Sequence, residues 1–360
     1  SDLSVFSLGP APEPCLVVLQ MDDIKGQSNL RHDHKHMRVL GICYHAVTEH
    51  ISPEARSWED VLLIVNAIKN GKIHLATEFT NVALARNAAE NYSSRLVACS
   101  AGCLCKDPIE RLELLIVGTI KCYNRSPESK THGELATFQP DGAFAGLCHR
   151  LFFTQAMGKT HRLYRHLSIL PLYCLRESSQ KELKNVIAGS EQKHVLKTFR
   201  RRLKSQKGTL IHGSHITGPS LRLLFEESGL FLPSDIESMF ATDFHDGMRV
   251  PPAVAFLRAV IAISKLDPSA FGKRERMFST LRVALVLLAH VCECYVTLIA
   301  DNRPSLGQHM ENVSKLMHLS LVLYREHATG YMPAQTFRNT QVLGQSLYWA
   351  LATCIQVGIK

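Results

Sequence analysis

The chain has 360 residues, 46% of them hydrophobic, with 41 Lys and Arg against 32 Asp and Glu, a formal net charge of +9 that leaves out 18 histidines. This length and apolar content support two domains with their own cores and exclude a disordered chain. The basic balance favours nucleic acid or another polyanion as partner. The 11 cysteines are an odd number and sit mostly in apolar runs (Cys43, Cys148, Cys174, Cys292, Cys294, Cys354), which suits buried free thiols in a reducing compartment, not a disulfide framework.

Residues 1–14 carry no basic n-region of a signal peptide and are expected to be a linker. The chain begins without Met, so a fragment or processed product is expected. Residues 15–21 (CLVVLQM) have the composition of a strand buried on both faces, and they end in two adjacent carboxylates, Asp22 and Asp23. Acids at the end of a hydrophobic strand are costly unless a basic side chain or a divalent metal compensates them. The polar stretch 25–36 reads as a connection to an antiparallel partner at 38–44. Ser57 followed by an apolar run with Glu59 and Asp60 in its first turn and Asn70-Gly71 behind it marks a helix over 58–69.

Residues 73–86 are ambiguous, 95–100 read as a short strand, and 108–122 as a helix opened by Asp107-Pro108. A strand at 133–138 runs into Gln139-Pro140-Asp141-Gly142 and a helix over 143–153. An acid on a turn at the C-terminal end of a strand is a common address for functional groups, and equally an ordinary helix N-cap. Residues 193–207 are strongly basic, with Val195, Leu196, Phe199 and Leu203 on one helical stripe. Lys193, His194, Lys197, Arg200, Arg201, Arg202 and Lys204 make the segment a candidate phosphate-contacting surface. From about 219 the texture is helical: 219–228, 233–241, 250–266, 272–301, 306–327 and 333–356. The apolar run 281–300 includes Arg282, His290 and Glu293, which favours a buried helix over a membrane span.

Two metal candidates stand out. Cys99, Cys103 and Cys105 invite zinc, but two ligands two residues apart fit a tetrahedral site poorly and no second Cys/His pair follows. His32-Asp33-His34-Lys35-His36 offers transition-metal ligands, yet its place in an expected turn favours a solvated loop tip.

Several short motifs, taken in order, resemble a ribonuclease-H-like DDE transposase core. They are Val18-Leu-Gln-Met-Asp-Asp-Ile24, Val39-Leu-Gly-Ile-Cys-Tyr-His45, His74-Leu-Ala-Thr-Glu-Phe-Thr80, Thr137-Phe-Gln-Pro-Asp-Gly142, Lys193-His-Val-Leu-Lys-Thr-Phe-Arg200, Met248-Arg-Val-Pro-Pro-Ala-Val254 and Met317-His-Leu-Ser-Leu-Val-Leu-Tyr-Arg-Glu-His327. The nearest likeness is to transposon-derived proteins of mushroom-forming fungi, and a more distant one is to P-element transposases.

The resemblance implies an α/β fold, a mixed sheet flanked by helices (15–218), followed by an all-helical insertion-type domain (219–360). It places catalytic acids at Asp22 and Asp141, with Asp23 beside the first, holding magnesium or manganese ions that bridge the attacking and leaving oxygens of a phosphodiester. It further implies DNA as partner (transposon ends or non-specific sequence), self-association, no membrane and a nuclear location. The sequence departs from that pattern twice. Ser190-Glu191-Gln192-Lys193-His194 stands where an acid motif of the DxxH kind is usual. The last acidic residue is Glu326, so the third catalytic acid is expected beyond Lys360 or is missing. An incomplete or inactive core, a non-catalytic DNA-binding or protein-interaction module, and a helical scaffold with a structural sheet are therefore all open.

Overall fold

The computed structural model describes residues 15–43, 52–87, 93–103, 109–140, 144–169, 175–241 and 250–358. The chain divides into two compact units, 1–188 together with 349–360, and 189–348.

The first unit is built around β1 (Leu16–Lys25). The hairpin of β2 (Arg31–Asp33) and β3 (Arg38–Leu40) follows it, then α1 (Trp58–Lys69), β4 (Glu78–Asn87) and β5 (Arg95–Gly102). Ahead of β6 (Leu135–Pro140) come α2 (Ile109–Arg125) and α3 (Pro127–His132). The unit continues with α4 (Ala145–Phe152), β7 (Gln155–Ala156), α5 (Tyr164–Leu167), β8 (Arg176–Glu177) and β9 (Ile187–Ala188). The main sheet has five strands in the order β5-β4-β1-β6-β9. It is mixed: β1 is antiparallel to β4 from Leu16↔Asn87 to Lys25↔Glu78, and parallel to β6 up to Met21↔Pro140.

The expected hairpin partner of β1 at 38–44 is thereby corrected. Residues 38–40 pair with 31–33 in a separate two-stranded ribbon, and the ambiguous run at 73–86 supplies the true partner. In β3 only Val39 is buried, and it joins Ile42, Cys43, Ala55, Ile64, Ala67, Ile73 and Cys103 in a satellite core beneath α1. A strand with one buried side chain cannot cover β1, whereas β4 pairs with it over ten positions and buries Thr80, Val82, Leu84, Ala85 and Arg86.

α1 starts where the sequence signals it, with a capping box between Ser57 and Asp60. α2 buries Leu112, Ile116, Ile120 and Tyr123 and packs against β5 and α4. Gly133, at φ 111°, leads into β6 so close to the main chain of Cys15 that a Cβ has no room. The carbonyl of Gly133 accepts from Tyr123 Oη at 2.9 Å.

The last helix, α12, belongs to this unit from residue 349 onward. Trp349 is buried, donates from Nε1 to Asn185 O at 3.3 Å, and lies 5.3 Å from the His161 ring, centroid to centroid. His161 Nδ1 accepts from Leu163 N, its Nε2 faces Lys184 O at 3.1 Å, and Glu177 Oε2 lies 3.5 Å from Nε2.

The second unit is helical except for the hairpin of β10 (Thr209–Ile211) and β11 (Ser214–Ile216), whose two-residue turn has His212 and Gly213 at positive φ. It begins with α6 (Gln192–Lys204), and continues through α7 (Gly218–Glu227), α8 (Pro233–Phe240), α9 (Val250–Ser264), α10 (Glu275–Ala300) and α11 (Leu306–His327) into α12 (Ala334–Val357). Val195, Leu196, Phe199 and Leu203 of α6 sit in one cluster with Leu224, Phe225, Phe256, Leu257, Leu285 and Tyr295. The helical unit thus begins at 189, thirty residues before the change of texture at 219, because the buried stripe of the basic helix completes its core. Among the described residues, 268–300 is the one helical stretch long and apolar enough to cross a membrane. Its Phe278, Leu281, Leu285, Leu288 and Cys292 lie in the core, and Glu293 is ion-paired with Lys265 and His290.

Two outcomes test these assignments. Phe199→Ala should lower stability by about 3–5 kcal/mol, as large core truncations do, whereas Arg201→Ala on the opposite side of α6 should stay within about 0.5 kcal/mol. Denaturant midpoints of the two variants check the contrast. Separately, burial holds the His161 imidazole below its ordinary value of 6.5, against the smaller raising effects of Lys184 O and Glu177 and alongside the lowering charges of Lys184 and Arg162. The folded unit prefers the neutral ring, so this stability is present above about pH 6.5 and is lost as pH falls through the lower folded value. His161→Gln, which still donates to Lys184 O, should flatten the stability profile of the first unit between about pH 7 and pH 5. Parallel profiles for variant and wild type would show that the ring does not contribute.

Candidate active site

The site is built on the ends of β1, β4 and β6. Side chains alternate along a strand, so Val17, Leu19, Met21 and Asp23 share one face of β1, and Val18, Gln20 and Asp22 share the other. The first set is buried up to Met21, and Asp22 and Asp23 are both exposed where the strand leaves the core. Directly paired residues share a face. Asp22 is opposite Asn81, which in turn is opposite Cys99, and Gln20 is opposite Gln139. The face carrying Asp22 is therefore polar and half-covered: Gln20, Asn81 and Gln139 are all of intermediate exposure. Gln20 Oε1 is held by Ser94 Oγ at 2.5 Å.

β6 runs parallel to β1 and is described as far as Pro140. Pro140, one residue before Asp141, is the partner of Met21, one residue before Asp22. Asp141 itself lies outside the described residues.

Asp23 has a different environment. Its Oδ1 accepts a hydrogen bond from Thr80 Oγ1 at 2.6 Å. The Thr80 oxygen accepts from Arg111 Nη2 at 3.3 Å, while Arg111 Nη1 donates at 3.1 Å to both the carbonyl and the hydroxyl of Ser100. Arg111, on the first turn of α2, is 5% exposed, and Thr80 is fully buried. A buried guanidinium needs partners for its charge and its donors, and the carboxylate reached through Thr80 answers the first need. Gly102 leaves the room for this, since a Cβ there would press on the guanidinium. The two neighbouring acids thus face opposite sides of the sheet: Asp23 is tied to Thr80 and through it to α2, and Asp22 stands on the polar face beside Asn81. Arg111 and Asn81 belong to none of the sequence motifs, and Thr80 closes the His74–Thr80 motif, which carries no expected site residue. The apolar run 82–85, read as the middle of a strand, is the signal that points to Thr80 and Asn81 as strand residues.

The zinc candidates are not brought together. Cys99 is exposed, with burial still raising its thiol, Cys103 is buried, and Cys105 lies outside the described residues. Among the described residues no three His, Cys, Asp or Glu side chains converge on a common point.

The basic helix divides its cations by role. Arg200 Nη2 donates to Met239 O at 2.9 Å and Lys204 Nζ to Ala241 O at 2.7 Å, both at the C-terminal end of α8. Arg202 Nη2 donates to Thr329 O and Gly330 O in the turn behind α11. Cations on terminal carbonyls satisfy acceptors that a helix end leaves open and complement its dipole. His194 is drawn to Glu191, whose carboxyl is held below its ordinary range chiefly by that hydrogen bond. Lys197 is half-buried, and Lys193 and Arg201 are exposed.

No family model and no curated protein matches this chain. The fold is similar to a solved structure described as the Drosophila P element transposase strand transfer complex, with a TM-score of 0.52 over 94% of this chain at 12% sequence identity. The chain spans 65% of that transposase chain. A mixed five-stranded sheet flanked by helices and continued by a helical unit is a ribonuclease-H-like arrangement, distantly similar to that of a transposase.

The Arg111–Thr80–Asp23 relay makes an energetic prediction. Thr80→Val removes the shared hydroxyl and should cost about 1–3 kcal/mol, because it strands a buried donor. Thr80→Val and Arg111→Met should be non-additive by about 0.5–3 kcal/mol in a double-mutant cycle read by urea unfolding. Additive costs would mean that the two side chains do not work as one unit.

Proposed function

We propose that this chain is a transposase-derived, nucleic-acid-processing core in which Asp22 and Asp141 hold magnesium or manganese at the carboxyl ends of two neighbouring parallel strands. The observation that supports this reading is the register Met21↔Pro140, which pairs the residues that precede Asp22 and Asp141 in the chain. The donor chemistry agrees: the Asp22 face offers carboxylate and amide oxygens, which suit a hard divalent cation. When bound, such an ion neutralises charge on a phosphodiester and activates its attacking oxygen. The chain's own part is to present Asp22 from a strand end that the buried relay through Thr80 holds in place. The Asn81 amide stands across from Asp22, ready to donate to a phosphate oxygen.

The substrate in this proposal is DNA, and Lys193 and Arg201 of α6 are the exposed cations available to its backbone. Cleavage or strand transfer at transposon ends, self-association, a nuclear location and kinship with fungal transposon-derived proteins belong to the same proposal. A second reading, a non-catalytic DNA-binding or protein-interaction module descended from such a core, is favoured by one observation. No described residue supplies a third acid to the Asp22 site.

Manganese binding followed by electron paramagnetic resonance, together with DNA nicking and DNA binding across a salt series, tests both. Asp22→Asn and Asp141→Asn should each abolish ion binding, whereas Asp23→Asn should keep it. Lys193→Ala and Arg201→Ala should each lower the salt slope of DNA binding by about 1. Ion binding lost in Asp23→Asn and kept in Asp22→Asn would overturn the assignment. Ion-independent DNA binding without nicking would favour the second reading.

A further inference from the structure

The β2–β3 hairpin carries an arrangement that the proposed nucleic-acid chemistry does not use. His32 lies in β2 and His34 in the turn that follows, and their Nδ1 atoms are 3.1 Å apart. The other ring nitrogen of His32, Nε2, is 2.9 Å from Ala55 O, ahead of α1. A carbonyl only accepts, so Nε2 carries a proton, and Nδ1 is the ring nitrogen turned towards His34. An imidazole that donates one nitrogen to a backbone carbonyl and keeps the other for a ligand is the arrangement that orients metal-binding histidines.

The turn between the two strands is held by other groups. Asp33 Oδ1 accepts from the main-chain N–H of Lys35 and of His36, at 3.1 and 3.3 Å. Asp33 Oδ2 takes the His36 Nδ1 contact at 2.7 Å and lies 3.6 Å from Arg38 Nε. Asp33 and His36 are therefore occupied in shaping the hairpin, which leaves His32 and His34 as a pair whose nitrogens face one another. Their rings meet edge to face, centroids 4.6 Å apart. His34 is exposed, so its ring is free to adjust.

We propose that Nδ1 of His32 and Nδ1 of His34 form a two-point chelate for a borderline divalent transition ion of the nickel, copper or zinc class. Two nitrogens at this separation, each about 2.0–2.1 Å from one ion, subtend about 100° at it, an angle open to both tetragonal and tetrahedral ions. When the ion enters, the proton between the two rings is exchanged through solvent to Nε2 of His34, so that each neutral imidazole offers its Nδ1 lone pair. No third His, Cys, Asp or Glu joins the pair among the described residues, so water completes the coordination shell. Imidazole selects this class of ion over magnesium and manganese, which keeps the site chemically separate from Asp22. The bound ion joins β2 to the tip of its own hairpin, while the Ala55 contact ties that hairpin to the segment before α1.

Nickel is the probe of choice because it does not oxidise the exposed thiols Cys99 and Cys122. Calorimetric titration of the full, tag-free chain with nickel should show one site that His32→Ala and His34→Ala each weaken by about tenfold or more. His32→Gln, which still donates to Ala55 O but offers no imidazole, should weaken it equally, which separates ligation from loss of the hairpin's docking. His36→Ala and Asp22→Asn should leave the affinity within about threefold of the wild type, well short of the cost of a lost ligand. Equal weakening by His36→Ala, or an unchanged affinity in His32→Gln, would overturn the proposal, and neither result bears on the carboxylate site.

Discussion

Everything in the first unit depends on one strand being paired on both sides. β1 gives its ten residues to β4 in antiparallel register and its first half to β6 in parallel register. A one-residue slip would turn Val17, Leu19 and Met21 out of the core and push Val18 and Gln20 in. That penalty fixes which carboxylate faces which side of the sheet. It also sets Pro140, the last residue of β6, beside Met21, while β1 runs on to Lys25. The acids at the strand end thus owe their placement to apolar residues several positions earlier.

The same logic separates Asp22 from Asp23. One belongs to the face packed by α2, and finds there a hydroxyl and, behind it, a buried guanidinium. The other belongs to a face lined by Gln20, Asn81 and Gln139, where an amide-rich surface leaves oxygen and N–H groups within reach of a polar ligand. Adjacent identical residues acquire different chemistry simply by alternation. The charge of Arg111 is tolerable in the interior because Ser100 and Thr80 absorb its donors and Asp23 supplies the countercharge through Thr80.

In the helical unit, positive charge performs structural work that its position in a basic run conceals. Arg200, Arg202 and Lys204 spend their donors on carbonyls at the ends of other helices, while Val195, Leu196, Phe199 and Leu203 fill the core. What remains exposed for a polyanion is a smaller set, Lys193 and Arg201. A helix with so few acids and so many cations is held in place by its apolar stripe and by the helix ends it caps, not by surface ion pairs.

The sequence by itself determined the buried first strand, the capped helix after Ser57, the amphipathic stripe of α6 and the succession of helices that follows. All of these are local: they depend on periodicity and capping within a dozen residues. Strand pairing was not local. Residues 38–44 read as extended and 73–86 as ambiguous, and only the tertiary structure decided that 78–87, sixty positions away, takes the place beside β1. That strand pairs with all ten residues of β1, whereas 38–40 has a single buried side chain to offer. The destinations of the cations of α6, the reach of Arg111 to Thr80 and the meeting of His32 with His34 and Ala55 were decided in the same way. Each hydrogen-bond partner belongs to a segment that the fold, and not the spacing of residues, brings near.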